Sequence, residues 1–157
     1  MTPSFQLVGI RHEQFEPLFL LSEGQLKEHG AQRHIAAESP GCPCRISLED
    51  ASVGEELLLL PYFHQPAASP YRASGPIFVR RSARQRRLDA GEVPSYVTRR
   101  LMSVRAYDAA HMMLAASVCD GVLTAQELLK YFSDDQVEYI HLHNAGRGCF
   151  SCQVIRA

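Results

Sequence analysis

Lysine is nearly missing from this chain: of its 16 basic residues only Lys27 and Lys130 are lysines. That bias toward arginine reflects a GC-rich coding sequence as readily as any function. Charge of one sign is also missing. The formal net charge is −1, so no global field draws nucleic acid or a membrane surface toward the molecule. No run of 18 uncharged apolar residues occurs, which excludes a membrane-spanning helix. The opening MTPSFQLVGIRHEQF lacks the basic-then-apolar layout of a secretory leader. Five cysteines cannot all pair, and a reducing cytoplasm, the expected location, keeps them as thiols. The chain carries no P-loop, no Rossmann glycine pattern and no G-x-S-x-G elbow, and these absences remove several large enzyme classes.

What is present is enough for one domain over residues 1–157, with 46% hydrophobic residues to fill a core without staples. Residues 5–10, 44–48, 56–63, 77–80, 103–107 and 111–119 carry the alternation or the short apolar runs of strands. Pro17 opens a short helix, and Ser22 with Gln25 forms a capping box for the turns that end at Gly30. Residues 93–102 have helical spacing, with Pro94 in the first turn. Thr124 with Glu127 predicts a second capping box for a helix reaching Phe132. A hairpin of residues 137–144 and 149–156 closes the chain. Many short strands with few short helices define an α+β fold on a largely antiparallel sheet.

The stretch YIHLHNAGRGCFSC, residues 139–152, carries most of the chemistry. Strand alternation puts Tyr139, His141 and His143 on one face and Ile140 and Leu142 on the other. Matching the faces of a regular hairpin sets His143 opposite Cys149, Leu142 opposite Phe150 and His141 opposite Ser151. Cys149 and Cys152 then point to opposite sides, so the C-x-x-C spacing does not make a zinc knuckle. His141 and His143 stand about 6.5–7 Å apart along the strand, a workable chelate for a divalent metal such as zinc. His64, which closes the central strand, is the best third ligand, with His111 and Asp108 behind it. The bland alternative is a pair of histidines hydrogen-bonded on a partly exposed sheet face. Cys149 is a further ligand or a nucleophile beside His143. Cys44 reads as a core residue, and Cys42 as a thiol whose reactivity would need a nearby cation.

Two other stretches compete for function. SPYRASGP, residues 69–76, offers Arg72 as a donor fork for a carboxylate or phosphate, with Tyr71, Ser74 and Gly75 beside it. Equally, Arg72 ties its own loop to backbone carbonyls. Five arginines lie among residues 80–87, but no aromatic residue interleaves with them. A solvated edge explains them better than nucleic acid does. Asp108 and His111 make either an acid–base pair or a turn cap.

The runs PCRISLEDASVGEELLLLPYFHQPAASPYRASGPIFVRR, RAYDAAHMM and YIHLHNAGRGC resemble the bacterial family catalogued as domain of unknown function 1203, across essentially the whole chain. The resemblance implies a single domain and brings no established activity or cofactor. Its pattern marks His64, Tyr71, Arg72, Ser74, Gly75, Arg105, Tyr107, Asp108, His141, His143, Asn144 and Cys149. Cys44 also matches it, whereas Cys42 and Cys152 are particular to this chain.

The reading is therefore a small-molecule site where the SPYRASGP loop meets the hairpin. Tyr71, Arg72, Ser74, Gly75, Arg105 and Asn144 bind an anionic ligand. His141, His143 and His64 hold a metal, and His143, Cys149 and Asp108 are the candidates for chemistry. This reading requires His64, Arg72, His143 and Cys149 to converge on one pocket. The alternative is a non-catalytic binding or assembly module, in the simplest case a homodimer.

Overall fold

The structure, a computed structural model, describes residues 2–157. The elements in chain order begin with β1 (Phe5–Val8), a 3₁₀ turn over Glu16–Leu20, α1 (Glu23–Glu28), β2 (Gln32–Ile35), β3 (Pro43–Cys44) and β4 (Glu49–Asp50). They continue with β5 (Glu56–Gln65), β6 (Ala73–Arg80), α2 (Ser95–Thr98), β7 (Leu101–Tyr107) and β8 (Met113–Asp120). A 3₁₀ turn over Gly121–Leu123, α3 (Thr124–Phe132), β9 (Tyr139–Asn144) and β10 (Phe150–Arg156) complete the chain. No helix among the described residues is long and apolar enough to cross a membrane.

The strands form two five-stranded sheets, ordered β1-β10-β9-β7-β8 and β2-β5-β6-β3-β4. All pairs are antiparallel except β3 with β6. The α+β class with a mostly antiparallel sheet and a C-terminal hairpin is the fold observed, divided between two sheets.

Alternation explains how the first sheet is covered. Met102, Val104 and Ala106 of β7, Ile140 and Leu142 of β9, and Cys152 and Val154 of β10 are all buried in one cluster. Thr124, Leu128 and Phe132 recur every fourth residue along α3, so one stripe of that helix packs on this face. Each fully buried Leu or Phe contributes about 1.5–3 kcal/mol to holding the helix there. The opposite face carries Ser103, Arg105, His141 and His143, and there the second sheet meets the first. Phe150 of β10 is buried with Leu58 and Leu60 of β5 and Ile77 and Val79 of β6.

Several local expectations change. Cys44–Leu48 is not a strand; β3 stops at Cys44 and a turn follows, closed by Leu48 N–H to the Cys44 carbonyl at 3.0 Å. The turn buries Arg45, Ile46, Ser47 and Leu48 together, which the alternation of a strand would not allow. The helix expected over 93–102 shrinks to α2, because residues from Leu101 onward pair with both β8 and β9. Tertiary pairing overrides the helical spacing. Thr124 is not an N-cap: the preceding 3₁₀ turn already gives it helical dihedrals. Glu127 instead accepts the Ser117 hydroxyl of β8 at 2.8 Å. The Ser22–Gln25 capping box is present as expected. β6 also starts earlier than expected, at Ala73, so half of the SPYRASGP segment is strand.

The register of the last hairpin also differs. Phe150 pairs with His143, Cys152 with Leu142 and Gln153 with His141, with an irregularity between Phe150 and Cys152. One extra residue in β10 shifts the pairing by one place, as a β-bulge does. The shift puts Phe150 on the histidine side of the sheet instead of beside Leu142.

Candidate metal centre

Two bulges frame the site. Besides the one in β10, the β5–β6 ladder is irregular between Tyr62 and Gln65, where Pro61 and Pro76 face each other and neither can donate to the ladder. Bulges re-aim side chains, and His64 lies inside this one. Its ring reaches across to the other sheet, 4.9 Å from the ring of His143 and 6.2 Å from that of His141, centroid to centroid. Phe150 stacks flat on His64, 5.3 Å away with ring planes 6° apart, and meets both other rings edge-on. An aromatic wall thus fixes all three imidazoles.

One ring nitrogen from each of His64, His141 and His143 lies within 4.8 Å of those of the other two. His141 and His143 are 2% and 1% exposed, so the sheet face expected to be partly open is buried at both positions. Each ring also keeps one buried nitrogen without a partner: Nδ1 of His64, Nδ1 of His141 and Nε2 of His143. A buried polar atom left unpaired costs about 1–3 kcal/mol, and here three such atoms occur in one cluster.

The tautomer of His143 follows from its surroundings. Its Nδ1 lies 2.9 Å from the Gly148 carbonyl, which can only accept, so Nδ1 carries the proton and Nε2 holds a free lone pair. A carbonyl on the far nitrogen is how metal-ligating histidines are oriented. Burial, with His143, His64 and Arg105 adding to it, pushes His141 down to about 3. Burial first, then Arg105, His64 and Arg45, pushes His143 down to about 4, against the Gly148 bond that favours its proton. Burial and Arg105 lower His64 as well. All three are neutral at neutral pH, the state a ligand requires.

His64 separates two clefts. One, of about 580 Å³, is lined by His64, Gln65, His111, Tyr139, His141 and Gln153 among others. Gln65 Nε2 donates to the Tyr139 hydroxyl at 2.8 Å, and His111 Nδ1 lies 2.8 Å from the same oxygen. The other, of about 860 Å³, is lined by His64, Ser74, Gly75, Asn144, Cys149, Phe150 and Arg45 among others.

The residues named from sequence divide accordingly. His64, His141 and His143 come together; Ser74, Gly75, Asn144 and Cys149 line the larger cleft. Cys149 Sγ accepts from Arg45 Nη2 at 3.2 Å, with Asn144 Nδ2 at 3.9 Å. It is not part of the close three-nitrogen group. Arg105 follows the expected face, paired in register with His141, its Nε on Ser103 Oγ at 3.1 Å. Tyr71 packs edge-on against Tyr107, which stacks on Tyr139, and lines neither cleft. Arg72 lies apart from the cluster. Its Nη1 donates to the Pro66 carbonyl at 2.5 Å and its guanidinium sits over the Phe63 ring, so it ties its own loop. Asp108 accepts the N–H groups of Ala110 and Met112, both at 2.9 Å, as a turn cap. Four of the five clustered arginines find acids: Arg80 with Glu55, Arg81 with Glu56, Arg84 with Glu16 and Arg86 with Glu49. Cys42 is buried, and burial together with Glu38 and Asp50 pushes its thiol up.

Two residues escaped the sequence reading. Phe150 moved with the bulge. Arg45 was hidden because alternation from Cys44 to Leu48 set it on the solvent side, whereas the turn buries it at 2% exposure.

No curated protein and no solved structure matches the chain. Residues 41–156 match the family described as Protein of unknown function (DUF1203), a span that contains Arg45, all three histidines and Cys149, and the chain belongs to that family.

Proposed function

We propose that this protein is a metal-dependent small-molecule protein in which His64, His141 and His143 hold one divalent ion, with zinc the ion best suited to three neutral imidazoles. The observation that carries this reading is that three neighbouring imidazoles bring one nitrogen each within 4.8 Å of the others, while each ring keeps a buried nitrogen without a partner. Two nitrogens bound at about 2.0–2.1 Å to a tetrahedral ion stand about 3.3 Å apart. The rings would therefore close by up to about 1.5 Å on loading, a movement within reach of small side-chain rotations.

Three protein ligands leave a fourth position open, the pattern of a catalytic rather than a structural zinc site. When bound, the ion would supply Lewis acidity and a site for water or a substrate oxygen. The chain's own contributions are positional. Gly148 orients His143 through its carbonyl, Phe150 walls the rings from one side, and Ser74, Gly75, Asn144 and Cys149 surround the space a ligand would occupy.

The test is metal content of tag-free protein purified without chelator, beside the double substitution His141→Ala, His143→Ala. Near-stoichiometric zinc that disappears in the folded variant supports the reading. Wild-type protein that takes up no zinc, iron or manganese when they are supplied refutes it.

A second reading, self-assembly, is favoured by one observation. β8 is an edge strand of eight residues without lysine or proline, and Leu114 and Val118 are 44% and 62% exposed along it. Unprotected apolar edges pair with further strands. Mass measured at two concentrations tests it, with Val118→Lys as the variant that should leave a monomer.

A further inference from the structure

Arg45 is 2% exposed, yet none of its side-chain partners is a carboxylate: they are the Phe150 carbonyl at 2.7 Å, the Pro43 carbonyl at 2.6 Å and the Cys149 sulfur at 3.2 Å. Arg105, paired in register with His141, is bonded through Nε to a serine hydroxyl. Among the described residues neither guanidinium has a carboxylate within salt-bridge distance. Buried charges are ordinarily paired, because leaving one alone costs several kcal/mol. Other arginines without a carboxylate, such as Arg72, Arg87, Arg147 and Arg156, are exposed, whereas Arg105 is half-buried and Arg45 is fully buried.

A divalent ion among the histidines would sharpen the imbalance. Three neutral imidazoles bring no negative charge, so the ion's two positive charges would join those of Arg45 and Arg105 without a carboxylate beside them. An anion in the larger cleft would offset that charge. Arg45 lines that cleft together with His64. Three of the guanidinium's five N–H groups are engaged, which leaves two for a ligand. A planar donor fork matches an oxyanion, a carboxylate or a phosphate group. Of the other charged lining residues, Arg100 is engaged by Asp50, and Arg147 and Glu38, both exposed, are opposite in sign, so selection falls to Arg45.

We propose that the larger cleft binds a small carboxylate or phosphate-type anion through Arg45, and that this anion and the metal of the histidine cluster bind cooperatively, each tightening the other. The cooperativity rests on the metal reading above; the anion site at Arg45 does not.

The experiment measures zinc affinity of the full chain by competition with a chromophoric chelator, in the presence or absence of saturating acetate or methylphosphonate. The expected result is zinc affinity about tenfold tighter with one of the two anions, the usual scale of coupling between sites. Whichever anion acts identifies the ligand as carboxylate-bearing or phosphate-bearing. Arg45→Met should bind zinc without anion at least as tightly as wild type, a like charge having gone, and should lose the response to anion. Arg72→Ala should keep it. Zinc that binds wild-type protein equally with and without both anions overturns the cooperativity, whether or not the Arg45 variant folds. Failure of zinc to bind at all overturns the metal reading, and the anion site is then judged by calorimetric titration of the metal-free protein. Saturable binding of either anion there sustains the Arg45 site, and its absence overturns it.

Discussion

Lowering the pH should destabilise the metal-free protein, chiefly through two residues. His141 and His143 are almost fully buried, and burial is the largest cause holding them down, to about 3 and about 4 against an ordinary 6.5. Well above pH 6.5 the rings are neutral whether folded or unfolded, so they add no pH dependence there. Below it the unfolded chain takes up protons that the folded state refuses, and stability falls. The loss continues until the pH drops below the folded values. Between pH 7 and pH 5 each ring costs about 2 kcal/mol, and the pair about 4 kcal/mol. For a domain of this size that lowers Tm by about 10 °C. Thermal unfolding followed by circular dichroism, in chelator at pH 7 and pH 5, reads the effect before most carboxylates titrate. His141→Gln should remove about half of it. A Tm that is level across that range, or an undiminished slope in the variant, would refute the burial argument.

Other substitutions test separate parts of the fold. Gly9→Ala should fail to fold or lose several kcal/mol, because the added carbon would meet the Ile46 carbonyl oxygen at 2.0 Å; soluble yield and urea midpoint check it. Leu128→Ala, beneath the first sheet, should cost about 2–5 kcal/mol in denaturant unfolding. Arg72→Ala removes an exposed loop tie and should move stability by no more than about 0.5 kcal/mol.

Much of this was legible from the sequence because strand alternation is local. His141 and His143 share a face wherever β9 ends up, and the capping box at Ser22 needs only its own four residues. The bulges were not legible. An extra residue at Ser151 leaves no mark, because Phe150, Cys152 and Val154 alternate as in a regular strand, yet it moves Phe150 onto the histidines. Arg45 was lost for a related reason: a turn that buries four successive residues looks, in sequence, like a strand that buries every second one. His64 was nameable as the end of the central strand, but only the second bulge and the crossing of two sheets bring it to β9. Arg72 stood out by composition, whereas the cation that lines the cleft was set by tertiary contacts.

The most direct test of the account is X-ray absorption at the zinc edge of the zinc-loaded protein. Three imidazole nitrogens at about 2.0–2.1 Å with a fourth oxygen ligand, and no sulfur at about 2.3 Å, is the predicted result. A sulfur ligand, fewer than three imidazoles, or zinc that does not stay with the protein through gel filtration would contradict it.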